Sequence, residues 1–187
     1  LALVLYSFAG VGYFFKVWRS EETFWQNALK LNPDYVSGYV SIASIELGRG
    51  NEEGAKRLLM EGLGKKKGLP AEFAQAAQIL GQMALKKGEL ARAESYFQQS
   101  LRYSPYEFAY IDLGFLYLRV GNLESAKSAF ESALEFPQKN VRAMFGLATA
   151  YSLLGDKEKA RQLAMQVYDR ARDEQLKTLA IEIIRGR

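Results

Sequence analysis

The sequence predicts an all-α fold assembled from stacked helical hairpins, and three observations predict it. Glycines Gly50, Gly88, Gly121 and Gly155 stand 38, 33 and 34 residues apart. Five residues after each comes an alanine (Ala55, Ala93, Ala126, Ala160), and seven before each a small residue (Ala43, Gly81, Gly114, Ala148). Leu59, Phe97, Phe130 and Ala164 follow nine residues after the glycines, and Gly62, Ser100, Ala133 and Val167 twelve after. Self-similarity at this period marks an array in which each unit buries its apolar face against its neighbours.

Each recurrent type has a physical reason. A glycine at the turn takes the left-handed conformation that ends the first helix of a hairpin, helix A. Asn51, Asn122 and Asp156 follow immediately and can cap the second, helix B. A Gly or Ala at the crossing lets two backbones approach, and Leu113, Tyr117 and Phe130 fill the space around it as core. Pro33, Pro105 and Pro137 close three units because proline cannot continue a helix; Pro70 sits near the end of the longest unit.

In chain order, residues 1–17 form an apolar helix and 18–35 a lone helix B, with Trp25 and Ala28 in the expected places. Residues 36–73, 74–106, 107–140 and 141–174 are complete units, the first carrying the Lys-rich insertion GLGKKKGLP between Gly62 and Pro70. Residues 175–187 contain a capping helix whose Leu176, Leu179, Ala180 and Ile183 cover the last unit, as a terminal repeat requires.

The opening stretch leaves two readings. Leu1 to Phe15 carries no charge, and Lys16, Trp18 and Arg19 follow, as at the water interface of a membrane helix. Fifteen helical residues span roughly 22 Å, short of the ~30 Å hydrocarbon core, so this is read as the end of a transmembrane segment. The alternative is helix A of the first repeat, for which Leu5, Phe8 and Ala9 have about the right phase.

Composition narrows the chemistry. The chain has 187 residues with no Cys and no His, which excludes disulfides, thiolate zinc sites, Ser-His-Asp triads and histidine-based metal sites. The 25 Lys and Arg against 21 Asp and Glu are dispersed and give a net charge of only +4, so nucleic acid is not an expected partner. Gly64-Lys65-Lys66 is no phosphate loop, because neither Ser nor Thr follows the lysine; Lys65 to Lys67 read as a solvated loop, with anionic headgroups the alternative. Glu21-Glu22 and Glu52-Glu53 are adjacent on helices and diverge, so they make poor acid/base pairs. No catalytic residue, cofactor or metal ligand is expected, and the chain reads as a binding module.

The segment YIDLGFLYLRVGNLESAKSAFESALEFP, Tyr110 to Pro137, resembles the tetratricopeptide repeat, a helix-turn-helix of 34 residues. The resemblance extends over nearly everything from Trp18 onward. It implies a right-handed superhelical α-solenoid with helix A lining the inner wall, where family ligands meet the second, fifth, ninth, twelfth and thirteenth residues of each unit. Among these positions the resemblance points to Gln78, Gln82, Phe108, Ile111, Phe115, Arg119, Arg142, Phe145 and Thr149 as a groove for a protein or peptide partner. Phe108, Ile111, Phe115 and Phe145 would form an apolar stripe flanked by Arg119 and Arg142; packing against neighbouring helices is the alternative for these residues. The carboxylate-clamp subfamily is not implied, because Val40, Ser44, Gln78 and Gln82 occupy places where it needs Lys and Asn.

The expectation is therefore a membrane-tethered interaction scaffold, its repeats on the periplasmic or luminal side, with the cytoplasm as the other placement. Two alternatives stay open. A membrane helix followed by such repeats also resembles the C-terminal, acceptor-recognising part of polytopic membrane glycosyltransferases. The other is a soluble repeat protein that associates with further copies of itself.

Overall fold

The computed structural model describes residues 20–186. These form ten α-helices and, among the described residues, no strand: α1 Glu21–Leu31, α2 Val36–Gly48, α3 Glu52–Leu63, α4 Pro70–Lys86, α5 Leu90–Tyr103, α6 Glu107–Arg119, α7 Leu123–Leu134, α8 Val141–Leu154, α9 Lys157–Arg170 and α10 Glu174–Ile184. The all-α solenoid class is what the repeat register implied. The expectations for residues 1–17 lie outside the described residues. Among the described residues no helix is long and apolar enough to cross a membrane.

The hairpin logic is visible at the turns. Gly50, Gly88, Gly121 and Gly155 have φ of +81°, +78°, +78° and +88°, the left-handed region where a Cβ is costly. Asn51, Asn122 and Asp156 then cap α3, α7 and α9 by accepting from the backbone N–H of Gly54, Ser125 and Lys159. Glu89, in the equivalent place before α5, makes no such bond through its side chain.

The chain divides into two compact units, residues 1–80 and 81–187. In the first, Leu29 of α1 lies against Gly38 of α2, where an added Cβ would come within 2.7 Å of it. Arg49, at the end of α2, reaches back to Glu22 of α1 at 2.6 Å. That bond holds the Glu22 carboxyl below the usual carboxylate range. Val36, Tyr39, Ala43, Ala55 and Leu59 form the buried interior between α2 and α3. Pro70, which the sequence reading placed near the end of the longest unit, is the first residue of the next helix. It opens α4, where its missing N–H costs nothing, while the Glu72 carboxylate accepts from the N–H of Leu69.

In the second unit the small-residue seams carry the packing. Phe97 of α5 is fully buried beneath Gly81 of α4, whose Cβ, if present, would lie 2.5 Å from the ring. Phe130 of α7 is wedged between Gly114 of α6 and Gly146 of α8, with corresponding distances of 2.5 and 2.2 Å. One ring thus fills the seam within its own hairpin and the seam with the next. Gly146 was not among the repeat positions picked out from the sequence. Leu113 and Phe130 are core, as expected, whereas Tyr117 is half-buried and donates its hydroxyl to Glu94 at 2.9 Å. In α10, Leu176, Ala180 and Ile183 cover Met144, Ala148, Ala164 and Val167, but Leu179 is 50% exposed. Positions 176, 180 and 183 lie on one helical face and 179 falls beside it.

Candidate ligand groove

The predicted groove residues of the second unit lie mainly on α6 and α8. Asn140 fixes how these helices begin: its side-chain oxygen accepts from the N–H of Arg142 at 2.9 Å, and its amide donates to Glu107 at 3.3 Å. The starts of α6 and α8 are thereby held side by side. From there the Arg142 guanidinium lies over the ring of Phe115, 5.6 Å from its centroid. Phe115 in turn meets Phe130 edge-on at 5.1 Å. Guanidinium, ring and ring form a column from solvent to core, with the cation–π contact at its outer end.

The remaining groove residues differ in availability. Phe108, at the start of α6, is 47% exposed and touches the Tyr106 ring at 6.3 Å. Arg119 is exposed and donates to the Leu85 carbonyl at 3.3 Å. Gln82 is exposed and donates its amide to Asp112 at 2.9 Å. Phe145 is half-buried against the cluster around Met144, Ala148 and Val167. The Thr149 hydroxyl bonds back to the carbonyl of Phe145 at 2.9 Å, one turn earlier. Gln78 lies on the part of α4 belonging to the first unit and is half-buried there.

Ile111 is a correction. It is 1% exposed and packs with Ala126, Phe130, Ala133, Ala143 and Leu147, so no ligand reaches it. The fifth position of this repeat turns into the seam that Phe130 fills.

Sequence reasoning missed Asp112, whose carboxylate lies beside Gln82, because the sixth place in a unit carries no repeat signal. Asp112 also influences Tyr106. Burial pushes the Tyr106 phenol up to about 12, against a lowering hydrogen bond from Ser100, and the Asp112 charge adds to the rise. A cleft of about 410 Å³, lined by Tyr110, Tyr117, Ser125, Ser128 and Ser132, was likewise not foreseen. In the first unit a cavity of about 510 Å³ is lined by Trp25, Ser37, Val40, Ser41, Ser44 and Gln75 among others. Ser37, Val40, Ser44 and Gln75 are inner-wall positions of the repeat; Trp25 and Ser41 are not.

The Lys-rich insertion is partly committed to structure. Lys65 lies 4.8 Å from the Tyr39 ring centroid and 3.2 Å from Glu61, while Lys66 and Lys67 are exposed. Among the described residues no cluster of three or more carboxylates could hold a metal ion.

Left-handed glycine turns, capped B helices and aromatic rings seated on small-residue seams define an α-solenoid of helix-turn-helix repeats. The chain belongs to the tetratricopeptide repeat proteins: residues 74–107 and residues 117–180 each match that family. No curated protein sequence matches it. Among solved structures it is similar to the Pseudomonas aeruginosa protein pilF, with 15% identity, a TM-score of 0.73, and 95% of this chain and 80% of that one covered. The protein YrrB, described as a TPR protein with an unusual peptide-binding site, shares 17% identity at a TM-score of 0.66, covering 85% and 91%. The MamA protein shares 21% at 0.62, with 78% of each chain covered. At these identities the likeness is one of fold.

Proposed function

We propose that the chain is a protein-interaction scaffold that holds an extended peptide across α6 and α8, without catalytic chemistry of its own. The observation that carries this reading is the outer end of the Arg142–Phe115–Phe130 column, with the exposed ring of Phe108 on the same helix as Phe115. Aromatic rings and arginines dominate interface hot spots, and a guanidinium already oriented by a ring loses less freedom on binding. Gln82 and Asp112 add an amide and a carboxylate suited to a peptide backbone. The fitting ligand carries an apolar side chain for Phe108 and Phe145 and a carboxylate for Arg142 or Arg119. The peptide-binding site named for YrrB supports this class of ligand.

Selection from a random displayed peptide library tests it. Enriched sequences should pair an aromatic or aliphatic residue with a nearby acid. Phe108→Ala with Arg142→Glu should abolish their binding while the melting temperature changes little, since both side chains are exposed. Binding that survives both substitutions removes the groove from consideration.

A membrane-tethered form of the scaffold, with its repeats in the periplasm or a lumen, is the second reading. The uncharged run Leu1 to Phe15 ahead of Lys16, Trp18 and Arg19 favours it. Flotation with lipid vesicles tests it.

A further inference from the structure

The open face of α6 carries its side chains in a definite order. Ala109, Ile111, Leu113, Gly114 and Leu116 are buried, which leaves Phe108, Asp112, Phe115 and Arg119 as one outward stripe, at steps of four, three and four residues. Phe108 and Arg119 are exposed, and Asp112 and Phe115 are half-buried between them. The flanking helices hold different members of the stripe. From α4, Gln82 donates to the Asp112 carboxylate at 2.9 Å, and the Leu85 carbonyl accepts from Arg119 at 3.3 Å. From α8, the Arg142 guanidinium lies over the Phe115 ring. The anion and both cations of this face are therefore oriented by the fold itself.

Helix formation accounts for one of the two charges on α6 and not for the other. Arg119, in the last turn, complements the helix dipole. Asp112 stands in the middle of the helix, where aspartate is a poor helix former and the dipole gives it no support. Its neighbours three and four residues away, Phe108, Ala109, Phe115 and Leu116, are apolar, so pairing along α6 does not explain it either. The sixth place of the other complete units holds Ser41, Ile79 and Gly146, none of them charged. The helical rise puts Asp112 about 6 Å beyond Phe108, and Arg119 about 10 Å beyond Asp112. In an extended chain these steps are about two and about three residues. Unlike charges gain little at an exposed site, whereas like charges repel, so such a pair acts mainly by rejecting the wrong order.

We propose that Asp112 and Arg119 make the groove read charge order: its peptide sets an apolar residue on Phe108, a Lys or Arg against Asp112, and an Asp or Glu against Arg119. This rests on the peptide groove proposed above and adds to it a base and a fixed sequence of the three groups. The test uses the full chain and two peptides of one composition. One carries phenylalanine, lysine two residues on and glutamate three further; the other has its lysine and glutamate exchanged. Both are made in either chain direction and titrated by fluorescence anisotropy. In one direction the lysine-inner peptide should bind about tenfold more tightly than its exchanged counterpart, and added salt should shrink the difference. Asp112→Arg combined with Arg119→Asp should invert the preference. Asp112→Asn keeps an acceptor for Gln82 while removing the charge, and should cut the preference several-fold; it decides should the double variant fail to fold. Equal binding of the two orders, or a preference that Asp112→Asn leaves unchanged, overturns charge reading and leaves the groove standing. Failure of all four peptides to bind overturns charge reading too, and an empty library selection takes the groove with it.

Discussion

Replacing Gly146 by alanine tests the seam on which the second unit is built. In an ordinary helix this exchange stabilises by about 0.5–1 kcal/mol, because glycine loses more backbone freedom on folding. Here the new methyl would lie 2.2 Å from a ring carbon of Phe130, where ordinary contact begins at 3.4 Å, so the ring must retreat by more than 1 Å. Phe130 is fully enclosed and meets Gly114 in the same way on its other side, so it has nowhere to go. Overpacking of this kind costs about 1–3 kcal/mol, which leaves a net loss of about 0–2.5 kcal/mol after the helix gain. Urea unfolding followed by circular dichroism at 222 nm measures it, with Gly48→Ala as the matched control. Gly48 is the last residue of α2 and has nothing within 4 Å of its virtual Cβ, so its alanine variant should be neutral or slightly more stable. Phe130→Leu should restore room for the methyl, making the double variant more stable than the summed single effects by about 1 kcal/mol or more. A Gly146→Ala chain whose midpoint rises like that of Gly48→Ala would refute the seam.

Three further outcomes follow from the same contacts. Phe115→Ala removes a half-buried ring stacked between Arg142 and Phe130, and should lower stability by about 2–4 kcal/mol in urea titration, so it reports on packing more than on ligand binding. Gly155→Ala places a Cβ at φ +88° and should cost about 1–2 kcal/mol by the same assay, although no neighbour obstructs it. Tyr106 should make the fold sensitive to alkali. Its phenol titrates near 10 when unfolded and about 12 when folded, so its contribution is complete below pH 10 and is lost as pH rises towards 12. Thermal melts from pH 9 to 12 should show a steeper decline for the natural chain than for Tyr106→Phe.

Much of the fold was legible because the repeat positions are those where geometry admits few residue types. A left-handed turn accepts glycine, a close helix crossing accepts glycine or alanine, and these recur wherever the hairpin recurs. Gly146 escaped because it serves the seam between hairpins, and no other unit carries a glycine in the corresponding place. The groove was legible only in part. Inner-wall numbering assigns a helical face, but a rotation of one residue separates the groove from the seam, and the neighbouring helices decide which side a residue takes. That is why Ile111 went inward and Phe108 stayed outward. Asp112 could not be read because its role depends on Gln82, thirty residues earlier and on another helix. Pro70 lies near the end of the longest unit in the sequence reading yet opens α4, because proline both ends helices and begins them.

The four elbow glycines have open space where a side chain would be, so backbone conformation alone sets those corners. Foreign sequence spliced just beyond an elbow, with its glycine and capping residue retained, would meet no wall, because alignment of the hairpins resides in the seams. For a scaffold, this separates two tasks. The inner face can diversify to suit a cargo, while the corners lengthen to carry tags, reporters or whole inserted domains, and neither change need disturb the other.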